Sequence, residues 1–412
     1  MTDVSRIGVV GAGTMGAGIA QVAALGGFET VVHDPLPGAV ERGIARIRSD
    51  LARGADRGRW SRDDAEAAEV RLRPAASLAD LAGCEVVIEA APEDLELKRE
   101  LFVHLAGVCG PETVLATNTS SLSVTALAAA AERPERVIGM HFFNPPVLMR
   151  LVEVVAGEES GEEAIARGEA AAERMGRTPI RVADGIGFVA NRCLRPFTLE
   201  ALKLVSEGVP FDQVDRIVRV GGRFRMGPFE LMDLVGIDVN LEVAKSFWEQ
   251  SFHEPRWRPS PLQTRLVDAG RLGRKSGRGW YRYEDGRHRP DDPEGPLVEL
   301  PAGPEHDTEA ENAAADGKEV ERVPIRTPGL VLGRIVCQLI NEAYFALGEG
   351  VARREDIDTA MRLAFNWPQG PFEWADEMGG AHVVETLDAL HRELGEERYR
   401  VAPALRAAAA GR

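Results

Sequence analysis

The sequence predicts an α/β domain built on a parallel sheet, followed by two all-α helical domains that are tandem copies of one another. Three observations predict this. A glycine-rich turn near the N-terminus lies between an apolar run and a helical pattern. Short apolar runs then alternate with helical stretches as far as about residue 155. In the C-terminal half, two sets of motifs recur at a nearly constant offset. A length of 412 residues agrees with this count, since about 150 residues per domain gives two to three domains.

The first strand is Ile7-Gly8-Val9-Val10, followed by Gly11-Ala12-Gly13-Thr14-Met15-Gly16 and a helix through Ile19, Val22, Ala23 and Leu25. A second strand, Thr30-Val31-Val32-His33, ends at Asp34. Strand, glycine turn, helix, strand and acid make the fingerprint of a Rossmann-type dinucleotide-binding domain. Gly11 permits the tight turn, Gly13 lets the backbone approach a pyrophosphate, and Gly16 lets helix and strand pack closely. Thr14 and Met15 open the helix, whose free N–H groups and positive dipole end favour phosphate. Asp34 is placed to accept hydrogen bonds from both ribose hydroxyls, and a carboxylate there repels a 2′-phosphate. With Pro35 next to it, the site prefers NAD over NADP. Further strands are read at 85–89, 113–116, 136–140 and 151–155, and strands alternating with helices give a sheet covered on both faces.

The α/β domain is expected to span 1–184 and the first helical copy 185–283, with an acidic linker at 284–326 and the second copy at 327–412. Gly187-Phe188-Val189-Ala190-Asn191-Arg192 aligns with Gly329-Leu330-Val331-Leu332-Gly333-Arg334. Glu200-Ala201 matches Glu342-Ala343, Glu207-Gly208-Val209 matches Glu349-Gly350-Val351, and Gly227-Pro228-Phe229-Glu230 matches Gly370-Pro371-Phe372-Glu373. Such self-similarity reads as an internal duplication. The linker holds 13 acidic and 5 basic residues, which is half of the chain's net charge of −16. That acidity argues against a nucleic-acid or anionic-membrane partner. No uninterrupted apolar run reaches the ~18–20 residues of a membrane span, and the N-terminal residues carry no secretory pattern. Cys84, Cys109, Cys193 and Cys337 lie far apart, without a Cys-x-x-Cys pair. They read as reduced, buried thiols of a cytoplasmic protein, and no metal framework is expected.

His141 follows the apolar run 136–140, at the end of the sheet where ligand chemistry gathers. Oxidation of an alcohol needs a base for the hydroxyl proton, and histidine suits that role near neutrality. Glu153 lies in an apolar strand twelve residues on. A buried carboxylate needs a partner, and on one imidazole nitrogen it would fix the tautomer. The bland alternatives are a satisfied core histidine and a solvent-facing glutamate. Seven arginines between residues 41 and 62, against three acids, form a basic patch suited to phosphate groups or an ion-paired helix face.

Thr117-Asn118-Thr119-Ser120-Ser121-Leu122, His141-Phe142-Phe143-Asn144-Pro145, Leu151-Val152-Glu153-Val154 and Gly187-Phe188-Val189-Ala190-Asn191-Arg192 resemble, in order and spacing, the signature of L-3-hydroxyacyl-CoA dehydrogenases. The resemblance extends through Gly273-Arg274-Lys275-Ser276-Gly277-Arg278-Gly279-Trp280-Tyr281 and into the second helical copy. It implies an NAD-dependent oxidation of (S)-3-hydroxyacyl-CoA to 3-oxoacyl-CoA, of the bacterial 3-hydroxybutyryl-CoA dehydrogenase type. His141 would be the general base and Glu153 its orienting partner. Ser120 and Asn191 would bind the reacting oxygen or the thioester region, and Glu93, Lys98, Ser120, Asn144 and Lys275 would contact the cofactor. The serine and lysine that contact coenzyme A in some relatives have no counterpart here. In single-copy relatives the helical domain forms the dimer interface, so the second copy is expected to pack on the first, and a homodimer of the whole chain is compatible with this. Two other functions stand beside this one: a related dehydrogenase of free hydroxy acids, and a catalytically silent, crystallin-like structural protein.

Overall fold

A computed structural model of the chain describes residues 4–284, 305–306, 323–324 and 328–411. The expected acidic linker therefore lies almost entirely outside the described residues. Two compact units emerge. One runs to Val189 and includes Val351–Asp356; the other begins at Ala190 and holds the remaining helices. Val189 is tied to the first unit by its N–H, which donates to the Glu153 carboxylate (3.0 Å), and Val351 by its carbonyl, which accepts from Ala183 N–H (2.8 Å).

In the first unit the strands and helices are β1 (Arg6–Val10), α1 (Thr14–Leu25), β2 (Glu29–His33), α2 (Ala39–Asp56), α3 (Arg62–Arg71), β3 (Leu72–Pro74), β4 (Val86–Glu89), α4 (Leu95–Val108), β5 (Val114–Thr117), α5 (Val124–Ala128), β6 (Val137–Phe142), β7 (Leu151–Ala156), α6 (Glu162–Arg174) and β8 (Thr178–Ala183). They form one eight-stranded sheet, ordered β3-β2-β1-β4-β5-β6-β7-β8. The order reverses direction at β1, which puts the topological switch point beside the glycine turn. The sheet is parallel except between β6 and β7, which are antiparallel. The connection from 143 to 150 is too short for a crossover helix, so the chain returns alongside itself. The apolar residues of β1, β4 and β5 are buried on both faces, as a helix-covered parallel sheet requires.

Three strand assignments change. β3 and β8 were not among the expected strands, and β6 continues two residues past Met140, with all six of its residues buried. His141 therefore lies within a strand and not in the loop after it.

The helical unit contains α7 (Ala190–Ser206), α8 (Phe211–Val220), α9 (Pro228–Val235), α10 (Ile237–Gln250), α11 (Pro261–Asp268), α12 (Pro328–Gly348), most of α13 (Arg354–Phe365), α14 (Pro371–Met378), α15 (Gly380–Leu394) and α16 (Pro403–Ala409). Corresponding positions carry the same local devices. Asp215 accepts from the N–H groups of Phe229 and Glu230 (both 2.9 Å), and Asp358 accepts from Phe372 N–H (2.8 Å). Glu230 and Glu373 reach back to the N–H of Gly227 and Gly370, completing the cap ahead of each Pro-Phe helix. Only glycine fits at either cap, because a Cβ would lie 2.3 Å from the Asp215 carboxyl carbon or 2.2 Å from that of Asp358.

α7 and α12 pack against one another and exchange ion pairs through two buried arginines. Arg192 on α7 meets Glu342 (2.8 Å) and Glu349 (2.7 Å), and Arg334 on α12 meets Glu200 (2.8 Å) and Glu207 (2.6 Å). Burial alone would lower each guanidinium's pKa, but the facing carboxylates outweigh it and hold both above the usual arginine range. Arg256 donates to Glu342 (2.7 Å), and the Tyr399 hydroxyl donates to Glu200 (3.0 Å).

Within α12, Gly329–Gly348 is long and apolar enough to cross a bilayer, although Arg334, Gln338, Asn341 and Glu342 interrupt its apolar run. Of its most apolar window, 78% is buried inside the protein, which is the environment of a core helix. All four cysteines are buried thiols outside any disulfide. Burial pushes the Cys84 thiol up to about 12, Cys109 to about 11 and Cys337 to about 12, so these thiols stay protonated at neutral pH.

Candidate active site

The glycine turn has the geometry its residues predict. Gly11 adopts φ +102°, and a Cβ there would lie 2.5 Å from the Ala90 carbonyl oxygen. At Gly16 a Cβ would lie 1.8 Å from the Gly11 oxygen. At Gly13 it would meet nothing within 4 Å, so this position faces open space where a pyrophosphate can approach. α1 begins with no side-chain cap and no acid in its first turn, which leaves its N–H groups free for an anion. Thr14 and Met15 open that helix, and the Thr14 hydroxyl accepts from Arg46 (3.3 Å).

Asp34 differs from the simple expectation. One carboxylate oxygen accepts from Ala12 N–H (2.8 Å) and the other from Leu36 N–H (2.9 Å). The side chain therefore braces the glycine turn. A carboxylate has about four lone-pair directions, so each oxygen keeps one for a ribose hydroxyl. The open face at Gly13, the uncapped helix and this braced acid fit a dinucleotide without a 2′-phosphate.

His141 and Glu153 are directly opposed in the antiparallel β6–β7 pair. Opposed residues project to the same face of a sheet, and His141 Nδ1 lies 2.6 Å from Glu153 Oε2. Glu153 is fully buried and His141 is 6% exposed. The other Glu153 oxygen accepts from Val189 N–H. Gly187 (φ +69°) and Phe188 (φ +51°) make the left-handed turn that presents this N–H. A non-glycine residue held there is strained, and the turn also brings the Phe188 ring to 5.8 Å from the imidazole. Phe143 stacks obliquely at 4.5 Å. Because the carboxylate can only accept, Nδ1 carries the proton and Nε2 is left as the basic nitrogen.

A second polar cluster occupies the ends of β4 and β5. Lys98, expected to contact the cofactor, is 1% exposed, with Nζ 3.0 Å from both Glu89 and Glu93. Glu93 accepts from the Thr119 hydroxyl (2.5 Å), Ser120 N–H (3.1 Å) and the Ser121 hydroxyl (2.9 Å). Burial raises its pKa, but Lys98 and these hydroxyls outweigh that and hold it below the usual carboxylate range. Ser120 is exposed on the loop so fixed. The Asn118 side chain accepts from Phe142 N–H (2.9 Å), joining this loop to the strand that bears His141. Asn144 is exposed on the loop after β6.

The remaining two site residues belong to the helical unit. Asn191 sits in the first turn of α7. Lys275, in the short turn Arg274–Ser276, forms an ion pair with Asp238 (2.6 Å). The hub acid Glu89 was missed. Its only signal in the sequence is an acid ending a buried strand.

The arginine-rich segment proves mixed. Arg48, Arg53 and Arg62 pair with Glu69, Asp50 and Asp56. Arg57 and Arg59 form no ion pair among the described residues. With Gln21, Trp60 and Leu148 they line a cavity of about 230 Å³. Gln21 is 1% exposed, and its amide nitrogen has no hydrogen-bond partner. Among the described residues no cluster of side chains could hold a metal ion.

The fold and this site define an NAD-dependent oxidoreductase, and the chain belongs to the 3-hydroxyacyl-CoA dehydrogenase family. The family's NAD-binding domain matches residues 6–185, and its C-terminal domain matches 187–283 and 329–411. Among individual relatives, the 3-hydroxyadipyl-CoA dehydrogenase of Escherichia coli is 37% identical, over 98% of both chains. A probable 3-hydroxybutyryl-CoA dehydrogenase of Bacillus subtilis is 41% identical over 69% of this chain and 99% of its own. A crystal structure described as 3-hydroxybutyryl-CoA dehydrogenase from Escherichia coli superposes with a TM-score of 0.89 at 35% identity, covering 99% of this chain and 98% of that one.

Proposed function

We propose that this protein oxidises (S)-3-hydroxyacyl-CoA to 3-oxoacyl-CoA, reversibly, with His141 and Glu153 as its catalytic dyad. The observation that carries this reading is the register-opposed His141–Glu153 pair at 2.6 Å, on the same sheet as the glycine turn. NAD supplies the hydride acceptor. His141 Nε2 takes the C3 hydroxyl proton as the hydride leaves, and Glu153 stabilises the imidazolium that results. Ser120 holds the reacting oxygen or the neighbouring thioester region, and the resemblance assigns Asn191 to the same substrate and Lys275 to the cofactor. Glu93, Lys98 and Asn144 complete the cofactor contacts.

Arg57 and Arg59, beside Trp60 and the unpaired Gln21 amide, are the groups that meet the carrier's phosphates, in place of the serine and lysine of other relatives. The second helical region is a copy of the first and acts as its packing partner. The reciprocal pairs of Arg192 and Arg334 support this, as does the match of one family domain to both stretches. The buried, high-pKa thiols suit a reducing compartment, so we place the protein in the cytoplasm.

The test is an initial-rate NADH assay over 3-hydroxybutyryl-, longer 3-hydroxyacyl- and 3-hydroxyadipyl-CoA, with free hydroxy acids alongside. Turnover of at least one acyl-CoA well above every free acid is expected. Preference for a free acid would refute the carrier, and no turnover of any substrate would refute the enzymatic reading. Deleting residues 327–412 is expected to abolish folding or change the oligomeric state. Full activity with an unchanged state would refute the packing role.

A further inference from the structure

The dyad uses one buried acid of the sheet, and Glu89 is another. It ends β4, in register with Val10, the residue before Gly11, on one side and with Thr117 on the other. It is fully buried, and every partner it has donates to it: Ala91 N–H (2.5 Å), the Thr117 hydroxyl (2.7 Å) and the Lys98 ammonium (3.0 Å). The Thr117 hydroxyl can donate to Glu89 because it accepts from Thr119 N–H (3.2 Å). Glu93 likewise meets only donors. Both acids are therefore carboxylates facing one shared ammonium, and the Glu89–Lys98–Glu93 cluster carries a net charge of −1.

Its place in the sheet gives that charge a use. The pyrophosphate turn follows β1, and the hydride is exchanged near His141 on β6. The ends of β4 and β5, where the cluster sits, lie between them in the strand order. A cofactor reaching from one to the other would cross the strand ends that carry this cluster. The oxidised nicotinamide ring is positively charged and the reduced ring is neutral. A fixed negative charge therefore stabilises one form and not the other, and does so more strongly with little water between.

We propose that the Glu89–Lys98–Glu93 cluster makes the site discriminate between the two redox forms of its cofactor, with Glu89 the buried positioning residue that fixes Lys98 and keeps the cluster one charge negative. The proposal rests on the hydride transfer at His141, but its readout is binding and needs no turnover. Dissociation constants for NAD+ and NADH would be measured by titration calorimetry on the full-length protein and on Glu89→Gln, with folding checked by thermal melting. Loss of the charge is expected to raise the ratio Kd(NAD+)/Kd(NADH) on the order of tenfold, about 1.4 kcal/mol.

Glu93→Gln removes the same charge from a half-exposed position, so it decides the question if Glu89→Gln does not fold, and the ratio is expected to rise there too. Thr117→Val removes a hydrogen bond and no charge, so the ratio is expected to hold even if both constants rise. Equal weakening of both forms in the folded charge-removing variants, or an equal ratio shift in Thr117→Val, would overturn the proposal. Failure of the protein to bind either form would instead refute the cofactor assignment.

Discussion

Replacing Glu153 with glutamine tests the dyad at one atom. The variant keeps the size and shape of a fully buried side chain. Its orientation is dictated by the surroundings: Val189 N–H donates to one terminal atom, so the amide oxygen must stay there and the NH2 must face His141. An NH2 group donates to Nδ1, which forces the imidazole proton onto Nε2, the nitrogen that has to act as base. The substitution also removes the charge that stabilises the imidazolium. Two unit charges centred about 4 Å apart interact by about 4 kcal/mol at an effective dielectric constant of 20. Each 1.36 kcal/mol is a tenfold change in rate, so kcat should fall by roughly three orders of magnitude. The assay pairs initial rates of NADH formation with calorimetric NAD+ binding, which should change little. A loss of kcat under about tenfold, with NAD+ binding intact, would refute the assigned roles of His141 and Glu153.

Other consequences are as direct. Gly13→Ala meets no atom within 4 Å, so it should melt like the parent while binding NAD+ at least tenfold more weakly by calorimetry. Gly11→Ala forces an L residue to φ +102° and its Cβ onto the Ala90 oxygen, and should cost about 1–3 kcal/mol of stability in urea unfolding. Arg334→Met leaves the buried Glu200 without its cationic partner, and about 3–5 kcal/mol should be lost from the helical unit, read by urea titration followed by circular dichroism. Arg57→Glu with Arg59→Glu should raise KM for acyl-CoA several-fold and abolish or reverse its rise with salt, because no attraction to the phosphates is left to screen, with Kd for NAD+ unchanged.

The parts of this molecule legible in the sequence are those encoded over short distances. Strand, glycine turn, helix and terminal acid all lie within residues 7–34, so the dinucleotide half-site could be read directly. His141 was legible as a base, but its seat inside β6 was not, because a polar residue ending an apolar run looks like the start of a loop. That Glu153 partners it follows from the antiparallel register of β6 and β7, which the twelve-residue spacing allows but does not specify. Lys98 lies in a run of charged residues that resembles a solvated helix face; only tertiary packing buries it between Glu89 and Glu93. β3 is three residues long, and β8 alternates only weakly through Ile180 and Val182, so neither offered a pattern against its neighbours. The repeated motifs were visible as strings, whereas the pairing of each arginine with the other stretch's acids is a property of packing alone.

Those crossed ion pairs rest on the same spacing in both stretches. Each stretch carries an arginine followed eight and fifteen residues later by glutamates, at 192, 200 and 207 and again at 334, 342 and 349, the last of each set just past the helix end. The pattern that satisfies α7 is thus present on every other chain as well as on its own. What favours the intramolecular mate is covalent attachment, which gives it an effective concentration set by the length of the connection. Below that concentration a chain completes itself. Above it, two chains can satisfy the same arginines by exchanging these helices, so protein concentration sets where exchange between molecules begins.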